Sequence, residues 1–142
     1  MPGATRRATE IACLSELAHQ LLDSAPRRNG PDPIPVLTVE RLRPALVLER
    51  IQPLFSEHPE LRIPEVDALT RTHPELAETV LAWCGAFGNV AMTARRLGIH
   101  ENTVRYRLQR AEEFLGRGLD DADTRLTTWL QLRVSEHAAE VS

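Results

Sequence analysis

The chain has 142 residues and a formal net charge of −3, with 20 acidic side chains against 17 basic ones. At that length one compact domain, or one domain plus an appendage, is expected. The acidic total excludes a protein that coats nucleic acid through its overall charge, so the distribution of charge has to carry any such function.

In chain order, Ile11, Leu14, Ala18, Leu21 and Leu22 recur at helical spacing and predict an amphipathic helix over residues 9–22 that needs a partner. Arg6-Arg7 is followed by Glu10 and this amphipathic pattern in place of an apolar export segment. No apolar run approaches the ~18 residues that span a bilayer, so a cytoplasmic chain without membrane contact is expected. Pro26, Gly30, Pro31, Pro33 and Pro35 defeat both helix and buried strand and predict an exposed linker. Thr38 is placed to cap a helix whose apolar face is Leu42, Leu46, Ile51, Leu54 and Phe55, kinked or restarted at Pro44 and bracketed at its end by Pro53 and Pro59. A short helix over 64–70 and a longer one over 74–87 each open on a proline, and Leu76, Val80, Trp83, Cys84 and Phe87 form the expected core stripe of the longer one. Cys13 and Cys84 lie far apart and outside metal-ligand spacing, which predicts free thiols, packing for Cys84, and neither metal nor cofactor.

The stretch from Gly88 to Leu108 is the most informative. Asn89 is a good N-cap, Val90, Ala94 and Leu97 share one helical face, Gly98 tolerates the positive φ of a tight turn, and Ile99 follows as an apolar plug. A second helix over 101–115 puts Val104, Leu108, Ala111 and Leu115 on a buried stripe and Asn102, Tyr106 and Gln109 on the opposite side. Arg105 lies on one edge, Thr103 and Arg110 on the other, and Arg107 nearer the buried stripe. Two short helices joined by a glycine turn, the second rich in arginine, are the pattern of a helix-turn-helix. Gly116-Arg117-Gly118 then breaks the chain, and Asp120 or Asp121 caps a last helix carrying Leu126, Trp129, Leu130 and Val134. No strand pattern of convincing length occurs, so the expected fold is an all-α helical bundle with the helix-turn-helix in its C-terminal half. Its expected organisation is residues 1–35 as amphipathic helix and linker, 36–73 as a helical connecting segment, and 74–138 as the DNA-binding domain.

Charge is segregated to match. Residues 89–110 sum to +4 and the remainder to −7, a basic reader on an acidic body. Asn and Arg carry the donors and acceptors that match adenine and guanine edges in the major groove. The expected base readers are Asn102, Arg105, Tyr106 and Gln109. The expected phosphate contacts are Asn89, Arg95, Arg96, His100, Thr103, Arg107 and Arg110. Trp83 and Trp129 fall on core stripes, leaving Tyr106 alone outward, which favours double-stranded DNA over single strands. A homodimer would place two recognition helices about 34 Å apart on a partly palindromic site. No enzyme is expected: His100 has no serine, cysteine or acid spaced to form a dyad with it, and Glu112 and Glu113 diverge by about 100° on a helix and are solvated. The rival to a DNA reader is a helical dimerisation or adaptor module that binds a protein partner.

The run Leu97-Gly98-Ile99-His100-Glu101-Asn102-Thr103-Val104-Arg105-Tyr106-Arg107-Leu108, followed by Leu119-Asp120-Asp121 and Arg125-Leu126, resembles the C-terminal helix-turn-helix of the PucR family of transcriptional regulators. The likeness is strong over about residues 76–134 and weaker over 35–75. It implies a Fis-like four-helix arrangement and sequence-specific control of transcription, often of catabolic or nitrogen-related genes. By the same resemblance, His100, Asn102, Thr103, Arg105, Tyr106 and Arg107 occupy the recognition-helix motif and Asn89 the start of the positioning helix. Glu101 stands where the family often has a basic residue or proline.

Overall fold

The computed structural model describes residues 39–141 of the chain. The chain divides into two units, residues 1–42 and 43–142, and the helix-turn-helix belongs to the second. The helix expected over 9–22, the proline-rich linker, Cys13 and the Thr38 cap lie outside the described residues. Within them the elements are α1 (Val39–Glu57), a 3-10 turn (Pro59–Leu61), α2 (Pro64–Thr72), α3 (Pro74–Gly85), α4 (Val90–Leu97), α5 (Glu101–Leu115) and α6 (Ala122–Val141), with no strand among them. The fold is all-α, with the helix-turn-helix in the C-terminal half.

α3 is the hub, packed against α2, α4, α5 and α6. Its composition explains this: Leu76, Ala77, Val80, Trp83 and Cys84 are all buried, giving it apolar surface on more than one side. Val66 and Leu69 of α2, Ala111 and Leu115 of α5, Leu119, and Leu132 of α6 close around it in one core. Burial pushes the Cys84 thiol up to about 11, so this side chain packs as a small apolar residue and is not an available thiolate. A second cluster forms where Leu48, Ile51 and Phe55 of α1 meet Leu130 and Val134 of α6.

Several expectations are corrected. α1 does not restart at Pro44; it runs through Pro44 and Pro53 to Glu57, so its end falls between Pro53 and Pro59 as expected. Both rings lie on the solvent side, and the burial of Leu48 and Phe55 across them outweighs the missing N–H groups. Leu54 is exposed, and Leu48 takes the place in the seam expected for it. In α6, Leu126 likewise faces solvent, while Thr128, Gln131, Leu132 and Val134 are buried. Of the two candidate caps for that helix, Asp121 serves, its carboxylate accepting the Thr124 N–H at 2.8 Å.

A further correction concerns Phe87, expected in the core and 89% exposed. α3 stops at Gly85, and the chain leaves it through two left-handed residues, Phe87 at φ 53° and Gly88 at φ 81°. The Gly88 N–H donates to the Trp83 carbonyl at 2.9 Å, closing the helix end as the reversal toward α4 requires. The apolar periodicity ran past the point at which the backbone left the helix. A phenylalanine in that conformation costs about 1–2 kcal/mol, and this one recovers little by burial. Phe87→Gly is expected to stabilise the fold by about 0.5–1 kcal/mol in urea unfolding, net of the glycine's extra chain entropy. A destabilised variant would show that the ring makes contacts that outweigh the strain.

Candidate nucleic-acid interface

Local chemistry fixes α4 and α5 relative to each other. The Asn89 side-chain oxygen accepts the Met92 N–H at 2.8 Å, and Asn89 is extended at φ −81°, ψ 106°, so it launches α4 as an N-cap. Gly98 ends that helix in the left-handed region at φ 65°. A Cβ there would meet nothing within 4 Å, so the glycine is required by conformation and not by space. The Ile99 N–H reaches back to the Ala94 carbonyl at 3.1 Å, and after one more residue α5 begins. His100 caps it, its Nδ1 accepting the Asn102 N–H at 3.1 Å. Thr93 and Ala94 are buried where α4 packs against its neighbours, and Val104 is wholly buried beneath α5.

With that inner face held, the outer face of α5 is presented to solvent. Asn102, Arg105, Tyr106, Gln109 and Arg110 are all exposed, Tyr106 by 63%. Thr103 is half-buried. Arg107 is half-buried and reaches sideways, its Nη1 3.4 Å from the Thr79 hydroxyl of α3. On α4, Arg95 and Arg96 are exposed in the last turn. Arg96 lies back against the end of α3, close enough that a Cβ on Gly85 would come within 3.3 Å of its Nη1. Arg95 instead joins His100, Asn102 and Arg105 along an open groove of ≈ 680 Å³ between α4 and the start of α5. Asn102, Arg105, Tyr106 and Gln109 are thus brought onto one surface, with Arg95 and His100 along its edge.

The electrostatics of that surface were not legible in the residue pattern. Arg105 donates through Nη2 to Glu101 at 3.0 Å and through Nη1 to the Asn102 side-chain oxygen at 3.3 Å. Arg110 is paired with Glu113 at 2.7 Å, and Gln109 donates to the same carboxylate at 3.3 Å. Glu113 is therefore engaged by neighbouring side chains of its own helix. Glu112, expected to be solvated, accepts the Leu119 N–H at 2.7 Å and fastens the loop after α5. The i, i+4 spacing of Glu101 and Arg105 was the available signal for the first pair. Nothing in the spacing pointed to Arg125, whose guanidinium sits 4.7 Å over the Trp83 ring while its Nε donates to the Leu119 carbonyl at 2.8 Å.

A surface of this kind, on a second helix entered through a left-handed glycine and a His cap, coincides with a family match: residues 76–134 fit the model of the PucR C-terminal helix-turn-helix domain. This segment is a PucR-type helix-turn-helix domain. An uncharacterised protein of Thermomonospora curvata is 41% identical over 66 residues, 46% of this chain and 35% of its own length. An uncharacterised protein of Mycobacterium tuberculosis is 36% identical over 85 residues, 60% of this chain and 20% of its own length. The purine catabolism regulatory protein of Bacillus subtilis is 39% identical over 59 residues, 42% of this chain and 11% of its own length. The chain therefore spans about a third or less of each of these relatives. No solved structure matches it. The PucR-type domain takes in α3 from Leu76, both helices of the helix-turn-helix, and α6 as far as Val134. Among the described residues no helix is long and apolar enough to cross a membrane, and no group of three or more His, Cys, Asp or Glu side chains is placed to hold a metal.

Proposed function

We propose that this chain is a cytoplasmic, sequence-specific regulator of transcription that binds double-stranded DNA with α5 in the major groove. The observation that carries the proposal is the single exposed face bearing Asn102, Arg105, Tyr106 and Gln109 on a helix whose other face is locked into the core by Val104, Ala111 and Leu115. Asn102 and Arg105 read base edges, with Tyr106 and Gln109 assisting. Asn89, Arg95, Arg96, His100, Thr103, Arg107 and Arg110 hold phosphates and set the register. The regulatory role of the Bacillus relative supports a regulatory role for the shared domain. In this proposal residues 74–138 are the DNA-binding domain, 36–73 connect to it, and 1–35 contribute to a homodimer whose two recognition helices lie about 34 Å apart. Neither cofactor nor catalysis enters.

The role assignment is tested by two substitutions compared on many duplexes. Arg105→Ala is expected to relax sequence preference at one position, at a cost of about 1–3 kcal/mol on the preferred site. Arg95→Ala is expected to weaken all sequences alike and to reduce the salt slope by about one. Equal losses from both on every sequence would contradict the division between base readers and phosphate contacts.

A protein-binding adaptor is favoured by one observation, the exposure of Val47 and Leu54 one heptad apart on α1. Salt separates the two: a DNA reader loses affinity steeply with rising salt, because counterion release is then less favourable, and an apolar pairing does not.

A further inference from the structure

Two kinds of arginine face outward from the helix-turn-helix. Among the described residues, Arg95 and Arg96 of α4 carry no ion pair, whereas Arg105 and Arg110 of α5 are each joined to a carboxylate of their own helix. Arg105 is held most completely. Its two terminal nitrogens are anchored separately, one on Glu101 at 3.0 Å and one on Asn102 at 3.3 Å, and both anchors lie in the first turn of α5. A guanidinium has five N–H donors in a rigid plane, so two such bonds fix the plane and leave three donors for another partner.

We infer that Glu101 is a positioning residue of the reader: it aims the Arg105 guanidinium at a guanine edge and withholds its charge from phosphates. The inference rests on α5 being the recognition helix and adds a specificity device to it. In water an exposed pair of this kind contributes little to the fold. In a major groove the same pair is stripped of much of its hydration, and its strength rises as the local dielectric falls. A guanine presents two neutral acceptors, O6 and N7, which the remaining Arg105 donors reach without displacing Glu101. A phosphate would bring a second negative charge beside the carboxylate. The pair therefore tolerates a base edge and disfavours a backbone contact, which raises the ratio of specific to non-specific binding. Arg95, without a carboxylate, remains available to phosphates, whereas Arg110 contacts one only by releasing Glu113.

The test compares wild type, Glu101→Gln and Glu101→Ala, with Arg105→Ala marking the position that Arg105 reads, by enrichment from a randomised duplex pool and by titration of an unselected duplex at two salt concentrations. Glu101→Gln keeps an acceptor for Arg105 and loses the charge. It is expected to bind the unselected duplex several-fold more tightly, with a salt slope steeper by about one ion, and to retain the guanine preference. Glu101→Ala loses both and is expected to show the same gain on the unselected duplex and a fall of about tenfold or more in the guanine preference at the Arg105 position. Circular dichroism of both variants should match wild type, since the Glu101 side chain is 44% exposed and belongs to no core cluster. A wild-type motif whose guanine preference survives unchanged in Glu101→Ala would overturn the inference while leaving the DNA-reading role intact. No enriched motif from wild type would overturn both together.

Discussion

Leu69→Ala is expected to lower the stability of the folded unit by about 2–5 kcal/mol, the range for removing a fully buried leucine from a core that relaxes incompletely. Leu69 is wholly inaccessible and belongs to the cluster in which α2, α3, α5 and α6 meet. The same cluster includes Ala111 and Leu115, the residues that hold α5 by its inner face. The loss should therefore reach the reader even though no part of Leu69 faces solvent. For a unit of about this size, each kcal/mol corresponds to roughly 4–8 °C in the midpoint of thermal unfolding, so a fall of about 10 °C or more is the expected readout. DNA binding measured well below the new midpoint should be nearly unchanged. A loss below about 1 kcal/mol would mean that the helices close over the vacated volume and that the core is looser than its burial indicates.

Gln131→Leu is expected to cost about 2–4 kcal/mol, because removing one partner of a buried polar set strands the others. The Gln131 side chain is almost wholly buried in α6. Its oxygen accepts the Ile63 N–H at 2.7 Å, and its nitrogen donates to the Ile63 carbonyl at 3.1 Å and to Asp67 at 2.8 Å. Asp67 in turn accepts from Arg62 Nε at 2.9 Å, so one side chain ties the entry of α2 to α6. Leucine offers similar volume and none of these bonds.

The same cluster makes the effect of acid predictable. The Arg62 hydrogen bond first, and the Gln131 bond after it, hold the Asp67 carboxyl below its ordinary value against the opposing pull of burial. A carboxyl depressed in the folded state contributes stability that is fully present above its unfolded value, about 3.9, and is lost as pH falls through the folded one. Asp67→Asn should accordingly be less stable than wild type at neutral pH, with the gap narrowing below about pH 4. A gap independent of pH would remove the ionised carboxylate from the clamp.

The helix-turn-helix was legible because its signals are local. Asn89 and His100 cap helices through bonds that span two or three residues, and Gly98 supplies a backbone conformation that its position alone requires. The outward placement of Asn102, Tyr106 and Gln109 followed from helical periodicity once the start of α5 was fixed. What the sequence concealed was non-local or lay at element ends. The Gln131 clamp joins residues 68 apart, and nothing near either end announces it. Phe87 continued the apolar rhythm of α3 one step beyond the backbone that sustained it. Pro44 read as a kink or restart because its cost is local, whereas the burial of Leu48 and Phe55 that carries α1 past it depends on α6. On the candidate interface, positions were legible and charge pairing was not. The partners of Arg105 and Arg110 depend on rotamers, which residue spacing leaves open.

The most direct measurement is enrichment of bound duplexes from a randomised pool at two salt concentrations, with wild type beside the Asn102→Ala/Arg105→Ala double variant. A sequence-specific reader predicts a motif enriched by wild type at both salts and lost in the double variant, with residual binding that is indifferent to sequence and falls steeply as salt rises. A folded wild-type protein that enriches nothing, or a motif that survives loss of both side chains, would contradict the assignment of α5 as the recognition helix.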